Sequence, residues 1–329
     1  MQPAEEASVR KSVDGAFCVQ KPKDLTSSNV VAALKKALTR NGYAERGFKI
    51  GHGGTLDPFA TGVLVILCGE ATKLADSYLH SRKKYSSTVK LGVQTDSADL
   101  TGTVTNEAPV PKLSPGDWQA FADQFVNKPY LQTPPMHSAK KVEGRPLYEM
   151  AHRGESIERE AILKRIYNLE VYTLLSDELS MTVDCESGTY VRVLAEDLAK
   201  KAGTLAHLSR LERIQSSDVR ITDCMPLDAL IELLDSSQPL QEISGFKPLH
   251  QVASHLPFIE ISEEEATSTR QGISRITHLL CTRAAQDHPQ SSYVLAKIRH
   301  SLANPVALFE KQANPMGFRL QRVFNSISP

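Results

Sequence analysis

Residues 51–64, Gly-His-Gly-Gly-Thr-Leu-Asp-Pro-Phe-Ala-Thr-Gly-Val-Leu, restrict the fold more than any other part of the chain. They place one carboxylate, Asp57, between a glycine-rich turn and a second turn opened by Pro58, just before the apolar run 63–67. Glycines allow backbone conformations closed to other residues and let a ligand approach closely. An acid in a loop beside a buried strand is held in place and faces outward. Taken alone, Gly-Gly-x-x-Asp-Pro is more typical of an Asx-turn, in which Asp57 bonds its own backbone, than of a functional site.

Length and composition indicate a globular protein of about two domains. The 329 residues are 41% apolar, and no apolar run approaches the roughly 20 residues that span a bilayer. The N-terminal stretch 1–13 is polar and has no apolar signal-peptide core, so a cytoplasmic location is expected. The five cysteines lie far apart and form no C-x-x-C pair, so the sequence indicates neither a zinc site nor a disulfide framework.

The charges are balanced over the whole chain but unevenly distributed. The segment 77–94 contains four basic residues and no acid, whereas 226–266 contains eight acids and only Lys247. Such segregation can leave a basic face on a neutral protein, which suits nucleic acid. Charge alone does not distinguish this face from ordinary solvated surface.

The order of predicted elements indicates an α+β fold. Apolar spacing and capping residues predict helices over 26–41, from Ser114 through the Trp118 and Phe125 positions, over 191–202 and over 226–234. Strands are predicted over 17–19, 86–91, 166–174 and 179–184. The stretch 236–255, rich in Ser, Gln and Pro, is predicted as a linker to a mostly β C-terminal module with a short helix from Glu263.

Beyond the Asp57 loop, three clusters could carry chemistry. Arg82-Lys83-Lys84-Tyr85 precedes a strand and could stack a base beside phosphate-binding cations, or form a solvated strand edge. The stretch 131–148, with two prolines followed by basic residues, resembles a loop that lies along a ligand as much as a plain surface loop.

The third cluster, 186–192, places Arg192 in the first turn of a predicted helix. The helix dipole disfavours a cation there, so Arg192 requires a carboxylate partner. A bidentate pair with Asp57 would keep that acid ionised and oriented.

Together these clusters resemble the TruB family of tRNA pseudouridine synthases, in its bacterial stand-alone form. The resemblance rests on G-H-x-G-x-L-D-P-x-A-x-G-V-L at 51–64, on Lys84-Tyr85, and on the 95–102, 132–141 and 188–192 blocks in the family's order. It implies a mixed-sheet pseudouridine synthase catalytic domain over 13–235, after an N-terminal tail over 1–12. It further implies an RNA-gripping insertion at about 125–160 and, beyond the 236–255 linker, a PUA-like RNA-binding domain over 256–329.

The resemblance also implies a reaction: isomerisation of uridine 55 in the tRNA T-loop to pseudouridine, without cofactor or metal. Asp57, Tyr85 and Arg192 match the family's catalytic Asp, the aromatic residue that stacks on the flipped uracil, and the Arg that pairs with the carboxylate. The matches to substrate-binding and supporting positions, together with the cations expected to contact RNA, are His52, Lys21, Tyr190, Lys83, Lys84 and Lys141.

Two other functions stay open at this point. One is a non-catalytic tRNA-folding chaperone of the same ancestry, and the other is a guide-RNA-dependent pseudouridine synthase. The chain lacks the basic tails usual in the guide-dependent class, so no guide RNA is expected, and the family expectation is a monomer. One departure from the family pattern is Asp24 in place of a glycine; if that position needs positive φ, Asp tolerates it at modest cost.

Overall fold

A large mixed sheet and a small C-terminal sheet organise the computed structural model, which describes residues 13–138, 141–142, 145–147, 150, 153, 157–299, 305–312 and 317–325. Within these residues, the large sheet has ten strands, seven along one path and three that pair beside it. The small sheet has four strands in the same part of the chain. Helices and sheets are therefore mixed irregularly, and the predicted α+β class with a separate C-terminal sheet module is confirmed.

The strands of the large sheet are β1 (Gly15–Lys21), β2 (Ile50–His52), β3 (Thr61–Cys68), β4 (Lys83–Leu91), β11 (Ile166–Leu175), β12 (Glu178–Cys185), β13 (Ala206–Ser216), β14 (Val219–Arg220), β15 (Met225–Pro226) and β16 (Phe246–Pro248). Short two-stranded pairs are formed by β5 (Val93–Thr95) with β6 (Val104–Glu107), β7 (Tyr130–Gln132) with β10 (Ile162–Lys164), and β8 (Lys141–Val142) with β9 (Arg145–Pro146). The small sheet consists of β17 (Phe258–Ile261), β18 (Tyr293–Ile298), β19 (Ala307–Gln312) and β20 (Gly317–Val323), in that order. The large sheet has the strand order β11-β12-β4-β13-β3-β1-β15, and β2, β14 and β16 pair with β3, β13 and β1.

The helices of the described residues are α1 (Ser27–Arg40), α2 (Ala75–Leu79), α3 (Pro115–Ala122), α4 (Val191–Lys201), α5 (Leu227–Asp235), α6 (Leu249–Val252), α7 (Glu263–Arg270) and α8 (Ser274–Asp287). Capping side chains explain several starts. Thr26 caps α1 and Ser114 caps α3, each accepting a hydrogen bond from the backbone of the third helical residue. The predicted helices over 26–41 and 191–202 are therefore confirmed to within one or two residues.

The central strands bring the site together through their register. Strand β13 lies between β4 and β3, where Arg213 is paired with Tyr85 on one side and with Gly62 on the other. Gly62 has φ +103°, and a Cβ atom there would lie 2.3 Å from the Arg213 carbonyl oxygen. Glycine at this position therefore permits the close approach of β3 to β13, directly after the loop that carries Asp57.

The stretch 236–255, predicted as a linker, carries secondary structure. Strand β16 pairs with the start of β1, and α6 buries Leu249 and Val252. These two side chains share one apolar cluster with Leu295, Leu308 and other residues of the small-sheet module. The segment therefore helps to seat the module against the large sheet.

The C-terminal module contains a helix that the apolar pattern did not indicate. Helix α8 covers 14 residues and buries Leu280 and Ala284, yet Ile273 at its N-cap position provides no side-chain cap. The sequence therefore lacks the usual signal for a helix start at this point.

Candidate active site

A cavity of about 270 Å³ opens beside the 53–60 loop. Residues 54–57 of the loop line it, together with residues of β4, β13 and the start of α4. Five of the residues singled out from the sequence line it, and they are Asp57, Lys83, Tyr85, Tyr190 and Arg192. The structure thus brings together side chains that are more than 130 positions apart in the chain.

Asp57 and Arg192 form an ion pair within this cavity. Arg192 Nη2 lies 2.9 Å from Asp57 Oδ2, so the contact predicted from the helix dipole is present. The Arg192 side chain is 3% exposed, whereas that of Asp57 is 34% exposed towards the cavity. Burial raises the pKa of the Asp57 carboxyl above its usual range, and the Arg192 guanidinium opposes that rise.

Asp99 is a second carboxylate on the same arginine. Arg192 Nη1 lies 3.2 Å from Asp99 Oδ2, and the same nitrogen donates to the Ser97 carbonyl oxygen at 2.7 Å. The guanidinium fork is thus divided between two acids, where the sequence predicted a bidentate pair with Asp57 alone. Asp99 is 3% exposed, and its other oxygen accepts from Ser97 Oγ and from the Thr101 backbone.

Arg213 fixes the loop from below. It is 1% exposed, and its guanidinium donates to the carbonyl oxygens of Gly54, Thr55 and Val63 at 3.0, 3.2 and 2.7 Å. Charge-assisted bonds of this kind are stronger than neutral ones. Sequence reasoning did not assign this residue, although an arginine two positions after Leu211, on the inward side of a strand, was an available signal.

Lys21 ties the same loop from the side of β1. Its buried ammonium donates to the carbonyl oxygens of Pro22, Leu25 and Pro58, and burial lowers its pKa to about 8. The Asp24 amide also donates to Pro58 O, at 2.8 Å, and Asp24 has φ +67°. The position therefore does adopt the left-handed conformation, and Asp occupies it in place of the family's glycine.

Tyr85 and Tyr190 face the cavity from two different elements. Tyr85 is half-buried on β4, and burial raises the pKa of its phenol while Arg213 opposes the rise. Tyr190 stands at the N-cap of α4, two residues before Arg192. An aromatic ring and the Asp57 carboxyl group thus share one partly closed space, an arrangement suited to a flat polar ring such as a nucleobase.

Lys83 is an internal cation and does not project from the surface. It is 4% exposed, and its ammonium donates to Tyr78 O, Ser81 O and Ser81 Oγ at 2.7 to 2.8 Å. These bonds hold the turn between α2 and β4. A direct contact of Lys83 with an RNA phosphate, as predicted from the sequence, would have to break them.

The buried ammonium of Lys83 gives a pH-dependent stability. Burial lowers its pKa from 10.5 to about 7, so between these pH values the unfolded chain binds more protons than the folded one. The unfolding free energy of the wild type should therefore rise with pH relative to Lys83→Met, by up to about 1.4 kcal/mol per pH unit. Urea unfolding of both proteins below, within and near the top of this window measures the difference, with Lys36→Met on α1 as the control for loss of an exposed lysine. Parallel pH curves for wild type and Lys83→Met would contradict it.

The remaining predicted residues lie outside the cavity lining. His52 ends β2, its Nδ1 is 3.4 Å from the Gly54 amide, and burial lowers its pKa. Lys84 is half-buried and lines a separate groove of about 310 Å³ with Arg82 and Asp184. Lys141 lies in β8, and its side chain is outside what the structure describes, as is part of the proposed insertion at 125–160.

The described residues contain neither a metal-binding cluster nor a membrane-spanning helix. No group of three His, Cys, Asp or Glu side chains in them is arranged to hold a metal ion. No helix in the same part of the chain is long and apolar enough to cross a membrane.

Comparison with known proteins places this geometry in a family. Residues 40–191 match the model of the N-terminal domain of TruB family pseudouridylate synthases. The chain is 39% identical over 266 residues to tRNA pseudouridine synthase B of Psychrobacter cryohalolentis, which covers 79% of this chain and 68% of the relative. It is 38% identical over 245 residues to the enzyme of the same name from Opitutus terrae, covering 74% of this chain and 96% of the relative.

A solved structure supports the fold. The crystal structure of a Cbf5-Nop10-Gar1 complex contains a chain that aligns with 94% of this protein and 84% of its own length, at a TM-score of 0.69 and 22% identity. The sequence relatives carry the assignment: this chain belongs to the TruB family of pseudouridylate synthases.

Proposed function

We propose that this protein converts uridine 55 in the T-loop of tRNA to pseudouridine as a stand-alone enzyme. The observation that carries the proposal is the Asp57 carboxylate, which is held by Arg192 in a cavity faced by Tyr85. Relatives that are named tRNA pseudouridine synthase B support tRNA as the substrate class.

The cavity geometry suggests a role for each group. The target uridine leaves the T-loop stack and enters the cavity, where stacking on the Tyr85 ring offsets part of the few kcal/mol that base extrusion costs. Burial raises the pKa of the Asp57 carboxyl, and Arg192 opposes that rise by favouring the charged form while it holds the group in place. The N–C glycosidic bond breaks, the detached uracil rotates, and a C–C bond forms between the sugar and C5. The proton lost from C5 is balanced by a proton gained at N1, so the product is an isomer of the substrate. His52, beside the loop, would assist displacement of the base, and Tyr190 would border the sugar.

The test is release of tritium from a T-stem-loop RNA that carries [5-³H]uridine at position 55. We expect the wild-type protein to release tritium from this RNA. In a second RNA, cytidine replaces uridine 55 and the label is carried by uridines elsewhere, and we expect no release from it. Binding of the RNA without release would favour the tRNA-folding chaperone. Release that requires an added guide RNA would favour the guide-dependent class.

Binding to tRNA should depend steeply on salt, because cations that neutralise phosphates release counterions. The groove beside β4 carries Lys84, while Arg82 in it is paired with Asp184. Lys84→Gln should weaken tRNA binding severalfold and reduce the salt slope by about one ion. Filter binding over a salt series measures both quantities, with the exposed Lys36→Gln on α1 as the matched control. An unchanged slope for Lys84→Gln would remove Lys84 from the phosphate contacts.

A further inference from the structure

Gln132 holds the backbone of Tyr190 with both ends of its amide. Its Oε1 accepts from the Tyr190 amide at 2.7 Å, and its Nε2 donates to the Tyr190 carbonyl oxygen at 3.0 Å. Gln132 is 2% exposed, so these bonds form away from bulk water. The side-chain amide thus pairs with one residue as a neighbouring strand would, and a buried pairing of this kind is costly to lose.

The residue that Gln132 holds is the N-cap of α4. Tyr190 provides no side-chain cap to the helix, although its carbonyl oxygen accepts from Leu194. The first turn of α4 carries Arg192, two residues further on. The position of that turn is therefore fixed from outside the helix, by Gln132.

Gln132 and its two hydrogen bonds to Tyr190 form a clamp, and this clamp contacts α4 at a second place. Gln132 Nε2 also contacts Tyr130 Oη at 3.0 Å, and the Tyr130 hydroxyl donates to Asp197 Oδ2 at 2.7 Å. Burial and the Asp197 carboxylate raise the pKa of Tyr130, so the phenol keeps the proton that it donates. Strand β7 thereby grips α4 at its N-cap and again nearly two turns later.

The chain that follows β7 also contacts Arg192 directly. The His137 carbonyl oxygen accepts from Arg192 Nη2 at 2.8 Å, and this is the nitrogen that faces Asp57. Strand β7 pairs with β10, so the clamp stands at the root of the chain segment between them. The order of contacts runs from Gln132 to Tyr190, Arg192 and Asp57.

We propose that Gln132 is a positioning residue of the reaction, which sets the place of Arg192 against Asp57 by clamping the backbone of Tyr190. The inference rests on the roles given to Arg192 and Asp57 in the proposed function. It assigns no contact with substrate to Gln132. Its loss should therefore slow the reaction while RNA binding is retained.

The test compares Gln132→Met with wild type. Methionine keeps the length and the apolar packing but removes both bonds to Tyr190. A displaced arginine of this kind should lower the single-turnover rate of tritium release by about a hundredfold, with tRNA affinity unchanged. If the variant fails to fold, Gln132→Glu, which keeps the bond to the Tyr190 amide and loses the one to its carbonyl oxygen, is used instead and should show the same split between rate and affinity.

The pH profile provides a readout that a general loss of stability would not move. The groups that act on the Asp57 carboxyl are Arg192 on α4, Asp99 after β5, Lys21 on β1 and Tyr85 on β4. Arg192 is the largest influence that favours the charged form. The acid limb of the rate profile should therefore move to higher pH in the Gln132 variant.

Gln119 offers a matched control because it makes the same kind of clamp elsewhere. Its amide donates to Leu169 O at 2.9 Å and accepts from the Val171 amide at 3.0 Å, on the edge strand β11. Gln119→Met should change stability but neither the rate of the folded enzyme nor the acid limb. An unchanged rate in the Gln132 variant, a loss confined to affinity, or an acid limb that stays in place would overturn the proposal. No release by the wild type would remove the proposed function itself, and the positioning role with it.

Discussion

Replacing Asp57 by Asn should abolish tritium release from the T-loop RNA while binding of the tRNA persists. Asparagine keeps the size of the side chain and removes its charge. Arg192 keeps Asp99 as a partner, so the substitution leaves no buried cation unpaired. The expected fall in single-turnover rate is at least about a thousandfold, within the range for a positioned acid–base group. Rapid-mixing tritium release with excess enzyme measures the rate, and filter binding measures the affinity.

An exposed aspartate provides the control for this comparison. Asp228 lies exposed on α5 and accepts a hydrogen bond from the adjacent Ala229 amide, so Asp228→Asn removes a charge without touching the cavity. It should release tritium at the wild-type rate. Full activity of Asp57→Asn would refute the assignment of Asp57, and a parallel loss of binding would show that the carboxylate acts on affinity instead of chemistry.

Local signals predicted the elements around the site better than they predicted the contacts between them. The capping residues Thr26 and Ser114 predicted the starts of α1 and α3, and the apolar run 63–67 predicted β3. These signals are reliable because capping and periodicity depend on only a few neighbouring residues. The extra helix α8 lacked a cap, and the 236–255 stretch paired with β1 through contacts that its composition does not encode. In both segments, contacts with distant parts of the chain determine the secondary structure.

The same division holds within the site. The ion pair between Arg192 and Asp57 was predicted from the sequence because a cation in the first turn of a helix needs a carboxylate partner. The second ion pair, between Arg192 and Asp99, depends on how the turn after β5 packs against the start of α4. No spacing in the sequence reveals that contact. Lys83 was expected at the surface, yet the alternation of β4 turns it inward together with Ser87 and Val89. Sequence position alone does not show whether a lysine in a basic run faces solvent.

Arg192→Met should destabilise the protein as well as inactivate it. The guanidinium is almost fully buried and contacts Asp57, Asp99 and two carbonyl oxygens, and methionine replaces none of these bonds. Removing one partner of a buried ionic network leaves uncompensated charge and costs about 3–5 kcal/mol of unfolding free energy. Urea unfolding monitored by the single tryptophan, Trp118, measures the loss, and tritium release should fall to the level of Asp57→Asn.

The loss caused by Arg192→Met should depend on pH in a defined direction. Without Arg192, only the weaker influence of Lys21 opposes the effect of burial on the Asp57 carboxyl, so its folded pKa rises further above the unfolded value. A raised folded pKa adds stability that is fully present below the unfolded pKa and is lost as pH rises through the folded pKa. The variant should therefore be closer to wild type in acid than at neutral pH, and the added change Asp57→Asn should recover part of the neutral-pH loss. Arg40→Met, which breaks the exposed pair with Asp235, is the control and should cost at most about 1 kcal/mol at either pH. If Arg192→Met lowered the unfolding free energy by a similarly small amount at both pH values, the prediction would be wrong. Arg192 would then not be needed to stabilise the buried carboxylates of Asp57 and Asp99.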